Sequence, residues 1–147
     1  MCAAVGAKIS RPWKVRLTSE LPEDFNRELR KLRGSTRRPG QGKRAVTHVR
    51  VVEELAVATV CEVQLETGKT HQIRIHLAED GHPLVGEKVY IRDYGKRGGE
   101  PLPSARLLLH AQTLGFLHPV TKKRVQLRSE PPEDFTSEVS RLRARGK

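Results

Sequence analysis

Alternating apolar and polar residues predict two pairs of β-strands in this chain. Ala45–Val52 alternates as half-buried strands do, and Leu55–Leu65 is richer in valine and alanine, as expected of a more buried strand. The short spacing between these two runs predicts a hairpin. Arg106–His118 and Lys123–Arg128 form the second pair, with a turn at residues 119–122. The pattern therefore favours an antiparallel sheet.

The period of the pattern changes after Gly68. Ile73 and Leu77 lie four residues apart, which predicts an amphipathic helix over about Thr70–Glu79 with its first residue as the N-cap. Gly81 is the expected stop signal, because glycine is common just after a helix. Strands and helices together predict an α+β fold class, with a mostly antiparallel sheet flanked by a few helices.

A segment of twelve residues occurs twice. Lys14–Phe25 and Arg124–Phe135 are identical at eight positions, and each copy predicts a strand, a turn and a helix start with serine, proline and an acidic pair. The helices are expected to continue over Asn26–Arg33 and Thr136–Arg143. Because an unpaired strand edge invites association, we expect the first copy to cover such an edge, within one chain or in a dimer.

Glycine, proline and basic residues fill Gly34–Arg44, which predicts a flexible basic loop or linker. This segment divides the chain into residues 1–41, which carry the first strand-helix copy and the linker, and residues 42–147, which carry the remaining predicted elements.

Composition adds a strong positive charge to this picture. Lysine and arginine number 28 against 17 acidic residues, which gives a formal net charge of +11 and a pI near 10.3. Because the charge is clustered, it favours a nucleic acid as partner over a merely solvated surface. Arg37, Arg38, Lys43 and Arg44 form one cluster, which either contacts backbone phosphates or is a disordered charged linker.

The sequence also indicates a cellular location. It has no apolar run of about 18 residues, as a membrane-spanning helix would need, and no basic region that would start a signal peptide. Cys2 and Cys61 lack the spacing of metal ligands, so they predict a reducing compartment without disulfides. Cys61 lies in an apolar run and is expected in the core. A cytoplasmic location, with no membrane association, is the prediction.

Four sequence blocks occur in an order that is specific to one family. They are Gly42–His48, Leu65–Leu77, Gly81–Gly86, and Arg106–Ala111 followed by Phe116–Pro119. Together they resemble the C-terminal half of the catalytic domain of RluA-type RNA pseudouridine synthases. The second block, with Thr-Gly-Lys-Thr-His-Gln-Ile-Arg, is the most specific. The resemblance implies a partial pseudouridine synthase catalytic fold for residues 42–147, whereas residues 1–41 show no match to the family's motifs.

Enzymes of this family isomerise uridine to pseudouridine in RNA. They detach the base from the ribose C1′, turn it and rejoin it through C5. The target base must leave the stack, which requires base flipping and a basic docking surface. The resemblance therefore implies an RNA partner, with rRNA or tRNA expected, and no cofactor.

The resemblance also implies roles for three residues. By motif position, Arg74 is the arginine that pairs with the family's nucleophilic aspartate, and such a fork keeps a carboxylate ionised and oriented. The residue pattern alone leaves open an exposed helix arginine, paired with Glu79 or with nothing. Lys69 replaces the family's usual arginine and keeps its charge, so a phosphate contact is expected. His71 either touches RNA or the flipped nucleotide, or caps the helix.

The remaining histidines are expected to have structural roles. His76 and His82 are expected to serve packing and turn formation, and His110 is expected to be a buried, hydrogen-bonded core residue. No metal site is predicted, because no third ligand has a suitable spacing.

The family's His-Arg-Leu-Asp block does not occur in these 147 residues. None of the aspartates fits it by motif, and these are Asp24, Asp80, Asp93 and Asp134. Tyr90 and Tyr94 stand in a different context from the family's active-site tyrosine, and Glu87 replaces the family's usual aspartate after Gly86. We therefore expect the chain to be inactive alone, or active only with a separate chain that supplies the missing half. Self-association is the other expected form of assembly. A non-catalytic, basic RNA-binding module or a truncated gene product is the alternative.

Overall fold

The computed structural model describes residues 1–6, 14–21, 42–91 and 100–145, with residues 14–21 described through their backbone. Within these ranges the chain forms seven strands and two helices. They are β1 (Cys2–Val5), β2 (Lys14–Leu21), β3 (Lys43–Glu54), β4 (Thr59–Leu65), α1 (Gln72–Glu79), β5 (Leu109–His110), β6 (Thr113–Leu117), β7 (Arg124–Arg128) and α2 (Glu133–Ala144).

The described strands form two antiparallel sheets. A five-stranded sheet has the order β2-β3-β4-β1-β5, and β6 and β7 form a separate two-stranded sheet. Every pair of neighbouring strands is antiparallel. The predicted α+β class with a mostly antiparallel sheet is confirmed.

The hairpin of β3 and β4 is the long central part of the larger sheet. Pairing along this hairpin runs from Thr47 opposite Leu65 to Glu54 opposite Thr59, with one irregularity between Val51 and Glu53. The second strand begins later than the predicted Leu55, because the N–H of Leu55 donates to the carbonyl of Ala58 and closes the turn there.

Strand β1 was not predicted from the sequence, although it lies inside the larger sheet, between β4 and the edge strand β5. Its four residues are too few to show a period, and three of them, Ala3, Ala4 and Val5, are fully buried. The backbone N–H of Val85 donates to the carbonyl of Ala4 at 2.8 Å, so β1 also anchors the segment after α1.

The two helices pack on opposite faces of the sheet. Ala3 and Val5 of β1 belong to one apolar cluster with Ile73 and Leu77 of α1, whereas Ala4 belongs to a second cluster with α2. Since successive residues of a strand point to opposite faces, the sheet separates two cores. The buried positions of α2 are Phe135, Val139 and Leu142.

The two copies of the repeated segment pair with different strands. In the first copy β2 lies beside β3 at one end of the larger sheet, as expected of a strand that covers an edge. In the second copy β7 pairs with β6 instead. The predicted helix of the second copy is confirmed as α2, which begins at Glu133 with Pro132 as its N-cap. The predicted helix Asn26–Arg33 lies outside the described residues.

Two other expectations are wrong in detail. Lys43 and Arg44 belong to β3 and not to the predicted loop, since Lys43 pairs with Leu21 and Arg44 with Glu20 along β2. The predicted strand Arg106–His118 is divided into β5 and β6, because residues 111 and 112 leave one sheet before the next begins. Neither described helix is long and apolar enough to cross a membrane.

Candidate functional site around Arg74

A buried amide organises the turn that precedes α1. The side-chain oxygen of Gln72 accepts from the Thr67 hydroxyl at 2.8 Å and from the backbone N–H of Lys69 at 3.1 Å. Its amide nitrogen donates to the carbonyl of Val46 at 3.0 Å and to the hydroxyl of Thr47 at 2.9 Å. Gln72 therefore ties the Thr67–Lys69 turn to β3, which fixes where the helix begins.

The residue that precedes the first turn of α1 has an unusual backbone conformation. The helix starts at Gln72 and its N-cap is His71, one residue later than the predicted N-cap Thr70. His71 has φ of 56° and ψ of 19°, a left-handed conformation that is uncommon outside glycine. No side-chain cap bond is formed. At the other end, the predicted stop is confirmed: Gly81 has φ of 87°, and the N–H of His82 donates to the carbonyl of Leu77.

Arg74, in the first turn of α1, forms a two-pronged ion pair with Glu87. Its Nε donates to Glu87 Oε2 at 2.8 Å and its Nη2 donates to Oε1 at 2.7 Å. The Glu87 side chain is fully buried and that of Arg74 is 18 % exposed. The exposed arginine paired with Glu79, which the residue pattern left open, is therefore wrong. The arginine has a carboxylate partner within this chain.

The carboxylate of Glu87 is held by main-chain groups as well as by Arg74. Its Oε1 accepts from the backbone N–H of Lys88 at 3.0 Å, of Val89 at 2.8 Å and of Tyr90 at 3.2 Å. This arrangement satisfies a buried charge that would otherwise be costly.

Both ionisable groups of this pair have shifted pKa values. Burial by itself would raise the pKa of Glu87, but the hydrogen bond from Arg74 and those from Val89 and Tyr90 hold it below its usual value. The hydrogen bond to Glu87 raises the pKa of Arg74 further above its usual value, against the effect of burial. The pair is therefore ionised at neutral pH.

His71 and Tyr90 complete the surroundings of Arg74. His71 Nδ1 lies 2.8 Å from the Tyr90 hydroxyl, and His71 Nε2 lies 3.5 Å from Arg74 Nη1. The guanidinium carbon of Arg74 lies 5.1 Å from the centre of the Tyr90 ring, within the range of a cation–π contact. The structure thus brings together two predicted site residues, Arg74 and His71.

The other predicted RNA-binding residues are more dispersed. Lys69 is half-buried in the turn before α1, where its backbone contacts Gln72. Lys43 and Arg44 are exposed on β3, and Arg44 forms an ion pair with Glu66 at 3.3 Å. Arg37 and Arg38 lie outside the described residues.

The remaining histidines largely follow their predictions. His76 is buried, with Nδ1 at 2.9 Å from the Thr47 hydroxyl, and burial lowers its pKa. His82 lies in the turn after α1 and contacts Asp80 at 2.8 Å. His110 contacts the carbonyl of Ser129 at 3.0 Å but is only half-buried, since β5 is a short strand at the end of the sheet. Across the described ranges, no group of three histidine, cysteine or acidic side chains could hold a metal ion.

Sequence reasoning missed the parts of this site that depend on folding. Glu87 stood out only as a replacement of the family's aspartate, and Tyr90 as a tyrosine in a different context. Each lies more than ten positions after Arg74, and no periodic pattern links them to it. Their one signal was Gly86, whose position beside Glu87 marks a tight backbone turn.

Comparison with known proteins places this site in a family. The family model described as RNA pseudouridylate synthase matches residues 7–79, which include α1 and Arg74. This match also covers residues 7–41, so the likeness begins farther toward the N-terminus than the four sequence blocks indicated.

Several bacterial proteins are similar in sequence. A ribosomal large subunit pseudouridine synthase D of Zymomonas mobilis is 44 % identical over 98 residues, which cover 65 % of this chain and 31 % of that protein. An uncharacterized RNA pseudouridine synthase of Bacillus subtilis is 42 % identical over 105 residues, or 71 % of this chain and 33 % of that protein. This chain thus spans about a third of the length of the relatives that it matches.

Two solved human structures share the fold. RNA pseudouridylate synthase domain containing 1 matches with a TM-score of 0.64 and 20 % identity, covering 97 % of this chain and 64 % of that one. RNA pseudouridylate synthase domain containing 4 matches with a TM-score of 0.65 and 22 % identity, covering 97 % and 60 %. With its sequence blocks, its relatives and its fold in agreement, the chain belongs to the RNA pseudouridylate synthase family.

Proposed function

We propose that this chain contributes the arginine-bearing part of an active site that isomerises uridine to pseudouridine in RNA. The observation that carries the proposal is the orientation of Arg74. Glu87 takes the Nε and Nη2 side of the guanidinium, and the Nη1 side is directed toward His71. A second carboxylate can therefore be bound by N–H groups that Glu87 does not use.

The chemistry of the reaction gives this second carboxylate its role. In the proposed site it is the family's nucleophilic aspartate, and a neighbouring arginine keeps it ionised and oriented. Among the described aspartates, Asp80 contacts His82 and Asp134 contacts Arg106, so both have structural partners. We propose that a polypeptide other than these 147 residues supplies the carboxylate.

The proposed substrate is structured RNA. The net charge of +11 favours it, and the name of the relatives points to ribosomal RNA of the large subunit. Lys69, His71 and the exposed Lys43 are proposed to contact this RNA, together with Arg37 and Arg38. Arg44 is a weaker candidate, because Glu66 already neutralises part of its charge.

The test measures the hydrogen that leaves uracil C5 during isomerisation. The chain, alone or with a polypeptide that carries the His-Arg-Leu-Asp block, is incubated with ribosomal RNA tritiated at C5, and the released label is counted. We expect release only in the mixture and its loss in Arg74→Ala. The matched control is Arg50→Ala, which removes an exposed arginine paired with Glu62. Release that survives Arg74→Ala as well as Arg50→Ala would contradict the proposal.

A non-catalytic RNA-binding module is the second candidate, because the His-Arg-Leu-Asp block is absent from these residues while the positive charge remains. Under this alternative, RNA affinity falls steeply with salt, since phosphate contacts release counterions. No tritium is released in any mixture. Binding that is weak and independent of salt would rule out both candidates.

We also propose a cytoplasmic location and association with a second chain. Both Cys2 and Cys61 are free, which supports a reducing compartment such as the cytoplasm. Association with a second chain is supported by the apolar face of the β6–β7 hairpin, where Leu114, Phe116 and Leu127 are exposed. Light scattering after size-exclusion chromatography would show a mass that rises with concentration if the chain associates.

A further inference from the structure

We infer that Glu87 is a positioning residue, which fixes Arg74 so that the Nη1 side of its guanidinium faces a second oxyanion. This inference rests on the proposed function, since it assigns the partner of the same arginine. The second oxyanion is either the carboxylate of the proposed site or a phosphate of the RNA. Both have paired oxygens that match the fork of an arginine.

Glu87 is held independently of Arg74. Three backbone N–H groups, of residues 88, 89 and 90, donate to its Oε1. Its side chain is fully buried, so it cannot swing toward solvent without losing these bonds. Glu87 is thus a fixed support, and Arg74 is the partner that it orients.

The backbone that carries Glu87 is fixed on both sides. The N–H of Val85 donates to the carbonyl of Ala4 in β1, and the N–H of Gly86 donates to the carbonyl of Leu102. Gly86 has φ of +79°, and a Cβ there would lie 2.1 Å from the carbonyl oxygen of Arg106. Tight packing on both sides therefore fixes the start of the Glu87 turn relative to β1 of the larger sheet.

Contacts with Glu87 and Tyr90 orient the guanidinium of Arg74. Two bonds to Glu87 fix its plane along one side, and the Tyr90 ring lies 5.1 Å from its central carbon. The Nη1 side then lies beside His71 Nε2 at 3.5 Å. The Arg74 side chain is 18 % exposed, so it is not sealed off from solvent.

Stability alone does not explain this pair. Buried ion pairs are costly to desolvate, and apolar residues of similar size often replace them without loss of stability. A pair that fixes the plane of a partly exposed arginine has a further use, because a planar donor fork recognises an oxyanion only from a defined direction.

The test uses Glu87→Gln in the full chain. Glutamine has the same shape and can still accept the three backbone N–H groups, but it loses the charge and turns an N–H₂ group toward Arg74. Glu87→Asp keeps the charge with a shorter reach. Glu62→Gln is the matched control, because Glu62 also accepts from the Nε and Nη2 of an arginine, Arg50, but on the exposed surface of the sheet.

Three readouts are compared among these variants. Modification of Arg74 by phenylglyoxal, followed by peptide mass spectrometry without RNA, reports whether the guanidinium is still held. The salt dependence of binding to ribosomal RNA reports a phosphate partner. Tritium release, measured in a mixture with a polypeptide that carries the His-Arg-Leu-Asp block, reports a carboxylate partner.

We expect Glu87→Gln to raise the modification rate of Arg74 severalfold, Glu87→Asp to give a smaller rise, and Glu62→Gln to leave it unchanged. If the oxyanion is a phosphate, Glu87→Gln should reduce the slope of log affinity against log salt by about 0.7. If it is the carboxylate, the slope stays the same and tritium release is lost. Should Glu87→Gln fail to fold by circular dichroism, Glu87→Asp decides the same comparisons.

The inference is overturned if Glu87→Gln, or Glu87→Asp in its place, behaves like Glu62→Gln in all three readouts. It is also overturned if Arg74 becomes more reactive while both RNA binding and tritium release stay at the level of the unsubstituted chain. Failure of the proposed function would look different. Neither RNA binding nor release would then depend on Arg74, while the phenylglyoxal rates would still show whether Glu87 holds it.

Discussion

Replacing Gln72 with methionine should destabilise the chain although it leaves no cavity. Methionine has nearly the same length and volume as glutamine, so the packing around the site is kept. The four hydrogen bonds of the amide are lost, namely those to Thr67, Lys69, Val46 and Thr47. Gln72 is only 2 % exposed, so water cannot replace its buried bonds to Val46 and Thr47 without opening the site.

The magnitude follows from which groups keep another partner. The carbonyl of Val46 still accepts from the N–H of Glu66, and the Thr47 hydroxyl still contacts His76. Among the described residues, the N–H of Lys69 and the hydroxyl hydrogen of Thr67 lose the acceptor that they have. An orphaned buried polar group costs about 1–3 kcal/mol. Both groups are half-buried, so each costs toward the lower end of this range, and the two together give a loss of about 2 kcal/mol.

Urea unfolding followed by circular dichroism measures this loss as a change in the free energy of unfolding. The matched control is Gln64→Met, since Gln64 is exposed on β4, where substitutions change stability by about 0.5 kcal/mol or less. If Gln72→Met costs no more than Gln64→Met, the amide does not hold the turn and the account of how α1 is positioned is wrong. Increased phenylglyoxal modification of Arg74 in Gln72→Met would support this account.

Two further substitutions test other parts of the site. Gly86→Ala should lower the free energy of unfolding by more than about 3 kcal/mol, because the positive φ and the overlap with the Arg106 carbonyl act together. Thermal unfolding measures this loss, and the control is Gly68→Ala, since Gly68 has open space around it. His76, whose pKa burial lowers from its ordinary 6.5, favours the folded state most above that pH and loses this contribution as the pH falls through its folded pKa. The urea midpoint should therefore fall more between pH 7.5 and 5 in the unsubstituted chain than in His76→Gln; equal declines would exclude this histidine as the cause.

Local signals account for the elements that sequence reasoning found. The β3–β4 hairpin and α2 are long enough to show a period, and Gly81 ends α1 through a conformation that suits glycine. Where a signal was short, the prediction failed. Strand β1 has four residues and its buried neighbours come from both sides of the sheet, so neither its existence nor its place between β4 and β5 could be read from its sequence.

The repeated segment shows why pairing is beyond local sequence. Eight of twelve residues are the same in the two copies, yet β2 pairs with β3 and β7 pairs with β6. A strand's own residues set its tendency to be extended, whereas its partner depends on which edge the rest of the chain brings close.

The sequence by itself determined the family and singled out Arg74, because the block Leu65–Leu77 combines a glycine turn with a helix whose spacing is local. It could not determine the partner of that arginine. Glu87 reaches Arg74 only because β1 anchors the segment before it and backbone N–H groups hold its carboxylate. An ion pair between distant residues depends on the position of whole elements, so only the tertiary structure decided which way the guanidinium faces.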